Sequence, residues 1–330
     1  MLASLKTYSH LQHKKRKPSE YEIVSSNLLY YIKQGFEVNV PLQQWYNQYQ
    51  TKSALTCDNW EKFVDPRETT YAKYTALQKE QETVVDGILQ SIEDNNYDLE
   101  LALSWLPHLA RILPVLRYPW HGLQMIASYI GQMAPSGRIV ITCLLQAADE
   151  MRRIQRIAYR MRQIQQIHVD FGVNSQMIWE QDPLWQPLRE IIEKLLITYD
   201  WSEVFIALNL VLKPMLDMLF MSHFSHIAKR NKDYLLSEIF YSLNKDCRWH
   251  LQWSQAFIQM LMTEIPENKM IIMNGIKKWY PLASRAVNSF IHYFETGIHD
   301  DAKLIHSTLV QDYQNFLNAS GLDVEMSAWK

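Results

Sequence analysis

The chain has 330 residues, 48% hydrophobic and 21% charged, a composition ordinary for a globular protein and long enough for one large domain or two small ones. A formal net charge of −2 gives no bulk attraction to nucleic acid or to an anionic membrane. Three widely spaced cysteines, Cys57, Cys143 and Cys247, argue against a disulfide framework and fit a reduced, cytoplasmic protein, and the N-terminal stretch lacks the apolar run and cleavage site of a secretory signal.

Nine glycines are few for this length, which suits a mostly helical chain, whereas 11 Trp and 18 Tyr call for a large core, an extensive protein interface, or both. Residues 1–66 mix aromatics, charges and proline without a long helical period. A helix is expected over Tyr21–Ile32 and a short one after Pro41, over Leu42–Tyr49, with Asp65-Pro66 closing the segment. The basic run Lys14-Lys15-Arg16-Lys17 reads as part of a solvated arm, since acid returns at once in Glu20 and Glu22. A disordered tail would lack aromatics. The segment is therefore expected to be an arm that packs on a partner chain, with Tyr8, Tyr21, Trp45 and Trp60 as contact candidates. Its removal is expected to impair assembly more than folding.

Residues 67–330 are expected to form one helical domain. Tyr74, Leu77, Val84, Val85, Ile88, Leu89 and Ile92 trace one helix face, ended by Asp94-Asn95-Asn96. Helices over about 98–112 and 117–133 follow, stopped by Pro114 and by Ala134-Pro135-Ser136-Gly137. A long helix over about 138–167 carries an apolar stripe, Val140, Leu144, Ala147, Met151, Ile154, Ala158 and Met161. Its C-terminal half is rich in arginine, where cations suit the helix dipole. Asp182-Pro183 reads as a cap and first turn of a helix to about Tyr199. A nearly all-apolar helix over about 201–228 holds Pro214, which should kink it. It also holds Asn209, Lys213 and Asp217, which favour burial in a core over membrane passage. Asn231-Lys232-Asp233 opens a long helix to about 263, and two more, over about 267–296 and 300–318, complete the chain. No alternating strand pattern is present, so the fold class is all-α. The two longest helices, 138–167 and 231–263, are candidates for the pseudo-symmetry of a ferritin-like bundle.

Such bundles often hold two metal ions through Glu-x-x-His, because residues three apart share a helix face and grip one metal together. That spacing occurs nowhere here. Two segments come close: Glu150-Met151-Arg152-Arg153 places Arg where His would sit, and Cys247-Arg248-Trp249-His250 places Cys where Glu would sit. Glu150 and Glu203 are expected near the bundle axis, with Arg153 available to satisfy Glu150 in place of a metal. The other histidines, including His108, His121 and the His223/His226 pair, read as structural. Gly-x-Gly-x-x-Gly, a phosphate-binding loop, Gly-x-Ser-x-Gly and His-Glu-x-x-His are all missing.

Several segments resemble a known family: Lys6–Leu11, Arg16–Tyr31, Asp58–Pro66, Ala148–Arg162, Asp182–Pro214 and Lys245–Ala256. The chain is similar to the beta, non-catalytic subunit of the hydroxylase of bacterial multicomponent monooxygenases of the toluene/o-xylene type. The resemblance spans nearly the whole chain and weakens after about residue 265. It implies a ferritin-like bundle with additional helices, and a structural role beside an alpha subunit that holds the di-iron centre and a gamma subunit, assembled as a dimer of heterotrimers. It also implies a small effector protein and a ferredoxin or reductase bringing electrons from NADH. The present chain would have no cofactor of its own: Glu150 and His250 match ligand positions, whereas Arg153 and Cys247 depart from them. The same role in an alkene monooxygenase stays open, as does an independent bundle oxidase using Glu150, Glu203 and His250.

Overall fold

The computed structural model describes residues 9–29, 40–94 and 97–323, and every regular element among them is a helix. Eight long helices organise the chain: α1 (Tyr71–Asp94), α2 (Arg117–Met133), α3 (Gly137–Ile167), α4 (Gln186–Leu196), α5 (Trp201–Arg230), α6 (Tyr234–Glu264), α7 (Asn268–Thr296) and α8 (Ala302–Ala319). Two hairpins, α2/α3 and α5/α6, pack together as a four-helix core. Around it, α1 lies on α6, α4 bridges α2 and α7, α7 covers α5, and α8 closes over α7 and α5. Helix starts follow from side-chain caps: Ser136 accepts from the amide of Arg138 at α3, Asp200 from Glu203 at α5, and Asp233 from Leu236 at α6. Gly122 lets α2 approach α4, since a Cβ there would lie 2.5 Å from Cγ2 of Ile192.

Helix α5 has the length and apolarity of a membrane span but is almost wholly enclosed by the other helices. Pro214 does not end it. The helix widens to π geometry over Ile206–Leu212 and again over Met218–Phe224, with an α turn, Lys213–Asp217, between. Proline has no N–H to give the carbonyl four residues back. That carbonyl, on Leu210, accepts instead from the buried Tyr313 hydroxyl of α8 at 2.8 Å.

The structure moves several expected boundaries. The helix expected over Tyr21–Ile32 is a single turn and a half, Glu20–Ser25, opened by a reciprocal Ser19/Glu22 cap. Asn27 then takes a left-handed φ of 58°, and residues 30–39 lie outside the described residues, as does Tyr8. The helix expected over 98–112 is broken into a 3-10 turn, Tyr97–Glu100, and Leu106–Ile112. Asp182 is not a helix cap: its carboxylate accepts from the amide of Leu184 and from Arg111, and α4 begins later, with Pro187 in its first turn. In α3 the expected stripe is not the buried face. Leu144 is 49% and Met151 39% exposed, whereas Gln146, Asp149, Glu150, Arg152, Arg153 and Arg160 are buried. Arg152, Arg156 and Arg160 face acidic residues of other elements, not the dipole. Arg152 pairs with Glu82 and Asp246, Arg156 with Glu82 and Asp86, and Arg160 with Asp98 through two 2.6 Å bonds.

The described residues before 66 pack on their own bundle. Tyr21 is buried, its hydroxyl accepts from the Asp65 amide, and Arg138 lies over its ring. Arg138 also donates to Ser26 and to the carbonyls of Glu61 and Phe63. Leu55 and Phe63 enter the core, and Asp65 accepts from the indole of Trp249. Trp60 packs edge-on against Trp201, and Trp45 packs against Tyr49 and Tyr199. Tyr21 therefore cannot offer its ring to another chain, and Trp45 and Trp60 are half-spent on their own fold.

Candidate functional site

The centre of the four-helix core is charged. Glu150 lies thirteen residues after the first residue of α3, and Cys247 thirteen after the first residue of α6, two helices of 31 residues each. Equal placement in equivalent hairpins brings Glu150/Arg153 and Cys247/His250 level with one another. Arg153 donates to Glu150 at 3.0 Å, to Asp217 at 2.9 Å and to the Cys247 sulfur at 2.7 Å. Lys213, from the α turn of α5, lies 2.7 Å from Glu150 and 2.9 Å from Asp217. All five side chains are buried.

The electrostatics are those of a closed, neutralised set. Burial alone would push Arg153 down and Asp217 up, yet their mutual attraction, with Lys213 and Glu150, holds Arg153 well above and Asp217 below their ordinary values. Lys213 is likewise raised, Asp217 and Glu150 outweighing burial and the repulsion of Arg153. The Cys247 thiol is pushed far up, chiefly by burial, so it stands as a neutral thiol.

A second ring supports the first. His250 does not join the five; its Nε2 lies 2.9 Å from Asp149, whose carboxylate also accepts from Tyr74 at 2.7 Å and Gln78 at 2.8 Å. Burial, with the cations Lys213 and Arg153, drives the His250 imidazole well below its usual pKa, and burial with the nearby Asp246 drives Asp149 up. His250 Nδ1 is buried with no hydrogen-bond partner among the described residues. Asp246 accepts from Arg152 at 2.7 Å, and from Gln78 and Gln81. One turn away Asn209 donates to Gln146 and Ser254, and the Trp253 indole to Gln146, continuing the polar line through the core.

A di-iron centre does not fit this donor set. A metal ion among Glu150, Asp217 and Cys247 would face a guanidinium and an ammonium already in contact with those acceptors. Among the described residues no group of three or more His, Cys, Asp or Glu is disposed to hold a metal. Glu203, expected at the axis, is at the end of α5 instead, part-exposed and bonded to Lys278 and Trp279 of α7. Lys213 and Asp217 were not anticipated as site residues. The available signal was two opposite charges four apart in an otherwise apolar helix. Asp149 and Asp246, each immediately preceding a near-miss ligand position, were a second.

Paired hairpins with matched polar positions at their centre define a ferritin-like helical bundle. Comparison with known proteins agrees: the chain belongs to the methane/phenol/alkene hydroxylase family, whose model matches residues 43–264. It is 36% identical, over 92% of its length and 95% of the relative's, to the beta subunit of the hydroxylase component of the toluene-4-monooxygenase system of Ectopseudomonas mendocina. It is 27% identical to the small subunit of the propane 2-monooxygenase hydroxylase component of Gordonia sp. (strain TY-5), over 68% of this chain and 63% of that one. A chain from the structure of toluene 4-monooxygenase with toluene in its resting active site superposes with a TM-score of 0.85 at 35% identity, covering 90% of this chain and 99% of that one. A phenol hydroxylase chain from Pseudomonas sp. OX1 shares the fold, with a TM-score of 0.77 at 19% identity over 96% and 97% of the two chains.

Proposed function

We propose that this chain is the beta subunit of the hydroxylase component of a multicomponent monooxygenase, a non-catalytic scaffold beside an alpha subunit that holds the di-iron centre and oxidises toluene-like aromatics with dioxygen and electrons from NADH. The observation that carries the non-catalytic role is Arg153: its guanidinium sits among Glu150, Asp217 and Cys247, where a metal-binding bundle would need ligands free. The relative at 36% identity, matched over 95% of its length, supports the subunit and the aromatic substrate over the propane-oxidising relatives at 27% or less. A gamma subunit would complete a dimer of heterotrimers in the cytoplasm, and a small effector and a ferredoxin or reductase would complete the system. Apolar side chains left exposed on the core helices, Leu144, Met151 and Met125, suit burial against such a partner.

The test is co-expression with the companion chain that carries two Glu-x-x-His motifs. Toluene oxidation is expected only when this chain is present, with iron in the companion alone. Full activity without this chain, or stoichiometric iron bound within it, would overturn the proposal.

A further inference from the structure

Every arginine but two among the described residues gives a side-chain hydrogen bond or an ion pair. The two are Arg67 and Arg248, and they line the same groove, about 360 Å³ in volume, where α1 lies on α6. Lys245 joins them, resting over the Tyr241 ring with no carboxylate at ion-pair distance among the described residues. Glu80 is the single acid among the lining residues and pairs with none of the three cations. The groove has two unlike walls. Lys245 and Arg248, one turn apart on α6, and Arg67, from the segment before α1, make the basic one. Leu77 and Val84, two turns apart on α1, make the aliphatic one and are 38% and 54% exposed. Arg67 is half-buried, and burial pushes its guanidinium below the usual value although Asp65, Asp246 and Asp149 lie near enough to oppose the shift. Those acids are engaged elsewhere: Asp65 by the Trp249 indole, Asp246 by Arg152, and Asp149 by Tyr74 and Gln78. A half-buried guanidinium without a partner is stabilised by a carboxylate brought from outside.

We propose that this groove docks an acidic amphipathic helix of another protein, its carboxylates meeting Arg67, Lys245 and Arg248 and its aliphatic side chains meeting Leu77 and Val84. Charge complementarity selects the acidic edge, since three cations face one carboxylate in a chain whose formal net charge is −2. The aliphatic wall selects a polypeptide over other anions. A phosphate would leave Leu77 and Val84 exposed, and a nucleic acid would gain nothing from them. A helix laid in a groove presents anchors at i, i+3 or i+4 and i+7, and Leu77 and Val84 stand about 10 Å apart along α1, the same two-turn repeat. The inference rests on the charge and exposure of this face and not on the chain's role in a hydroxylase.

The test uses the full chain and a fluorescein-labelled helical peptide with Glu along one face and Leu along the adjoining one, followed by fluorescence anisotropy. Wild type is expected to bind it, and less tightly as salt rises, because exposed charges are screened. Lys245 and Arg248 are both exposed, so K245Q/R248Q should keep the Tm of wild type while weakening binding at least about tenfold, the loss of two charge-assisted contacts. Leu77→Ser should also weaken binding, and the same peptide with Gln in place of Glu should not bind measurably. Inorganic phosphate should displace no more peptide than chloride does at equal ionic strength. No binding by wild type, equal binding by K245Q/R248Q or by Leu77→Ser, or equal binding of the Gln peptide would each overturn the proposal. Selective displacement by phosphate would overturn it too, because the groove would then be a small-anion site.

Discussion

Arg153 shows why a buried ion pair is poor evidence for stability yet expensive to break. Desolvation of two charges cancels most of their attraction, but removing one partner strands the other. Arg153→Met leaves Glu150 and Asp217 with Lys213 as their only cation, and is expected to cost about 3–5 kcal/mol, read from urea denaturation. Replacing Glu150, Arg153, Lys213 and Asp217 together by apolar residues of similar size should cost less than the single change; a larger loss would refute this account of the cluster. The pH profile follows from the same groups. His250 stays neutral in the fold, so its contribution is complete above the unfolded value near pH 6.5 and is lost as pH falls below it. The half-buried His108 and His223, also pushed down by burial, act in the same direction. Asp217, depressed, contributes above about pH 4 and is lost as pH falls through its folded value. Lys213, raised, contributes below about pH 10.4 and is lost as pH rises through its folded value. Asp149, driven up by burial and Asp246, acts in the opposite sense and favours the fold as pH falls, so the histidine contribution is read by comparison: the urea midpoint should decline less steeply below about pH 6.5 in His250→Asn than in wild type.

At the scale of the element, α5 shows how a proline is absorbed in the middle of a core helix. Widened turns lie on both sides of Pro214, and a hydroxyl from α8 reaches the carbonyl that the proline cannot serve. Tyr313→Phe leaves that buried acceptor short of a donor and should lower stability by about 1–3 kcal/mol in thermal or urea unfolding. Pro214→Ala restores an amide at 214 and should recover part of that loss in the double variant; no recovery would mean the two residues are independent. The period of α3 misled for a related reason. An apolar stripe ordinarily marks the buried face. Here the centre of the bundle is polar and its charges are paired with one another, so charged residues turn inward and Leu144 and Met151 turn out. A hydrophobic count cannot distinguish that inversion, because it depends on Asp98, Asp217 and Asp246 from other helices.

For the whole molecule, the N-terminal segment matters most. Trp60 covers Trp201, Leu55 enters the core, and Ser53 bonds Asp200 and Ser202. Deleting residues 1–60 should thus lower the Tm of the bundle itself, contrary to the expectation of an arm needed chiefly for assembly; an unchanged Tm with lost assembly would restore that expectation. Leu144→Glu with Met151→Glu should do the reverse, leaving Tm within a few degrees and reducing recovery with the companion subunits in co-purification. The all-helical class, the long helices, Glu150 with Arg153 and the kinship to monooxygenase subunits were legible in the sequence, because helical period, i to i+3 spacing and contiguous segments resembling the family are local. The convergence of Asp217 and Cys247 on Arg153 and of Lys213 on Glu150, the seating of His250 on Asp149, and the folding of Tyr21 into its own core were decided only in three dimensions. Each joins residues between 44 and 101 positions apart, and which acid meets which base across that distance is set by helix packing rather than by any pattern along the chain.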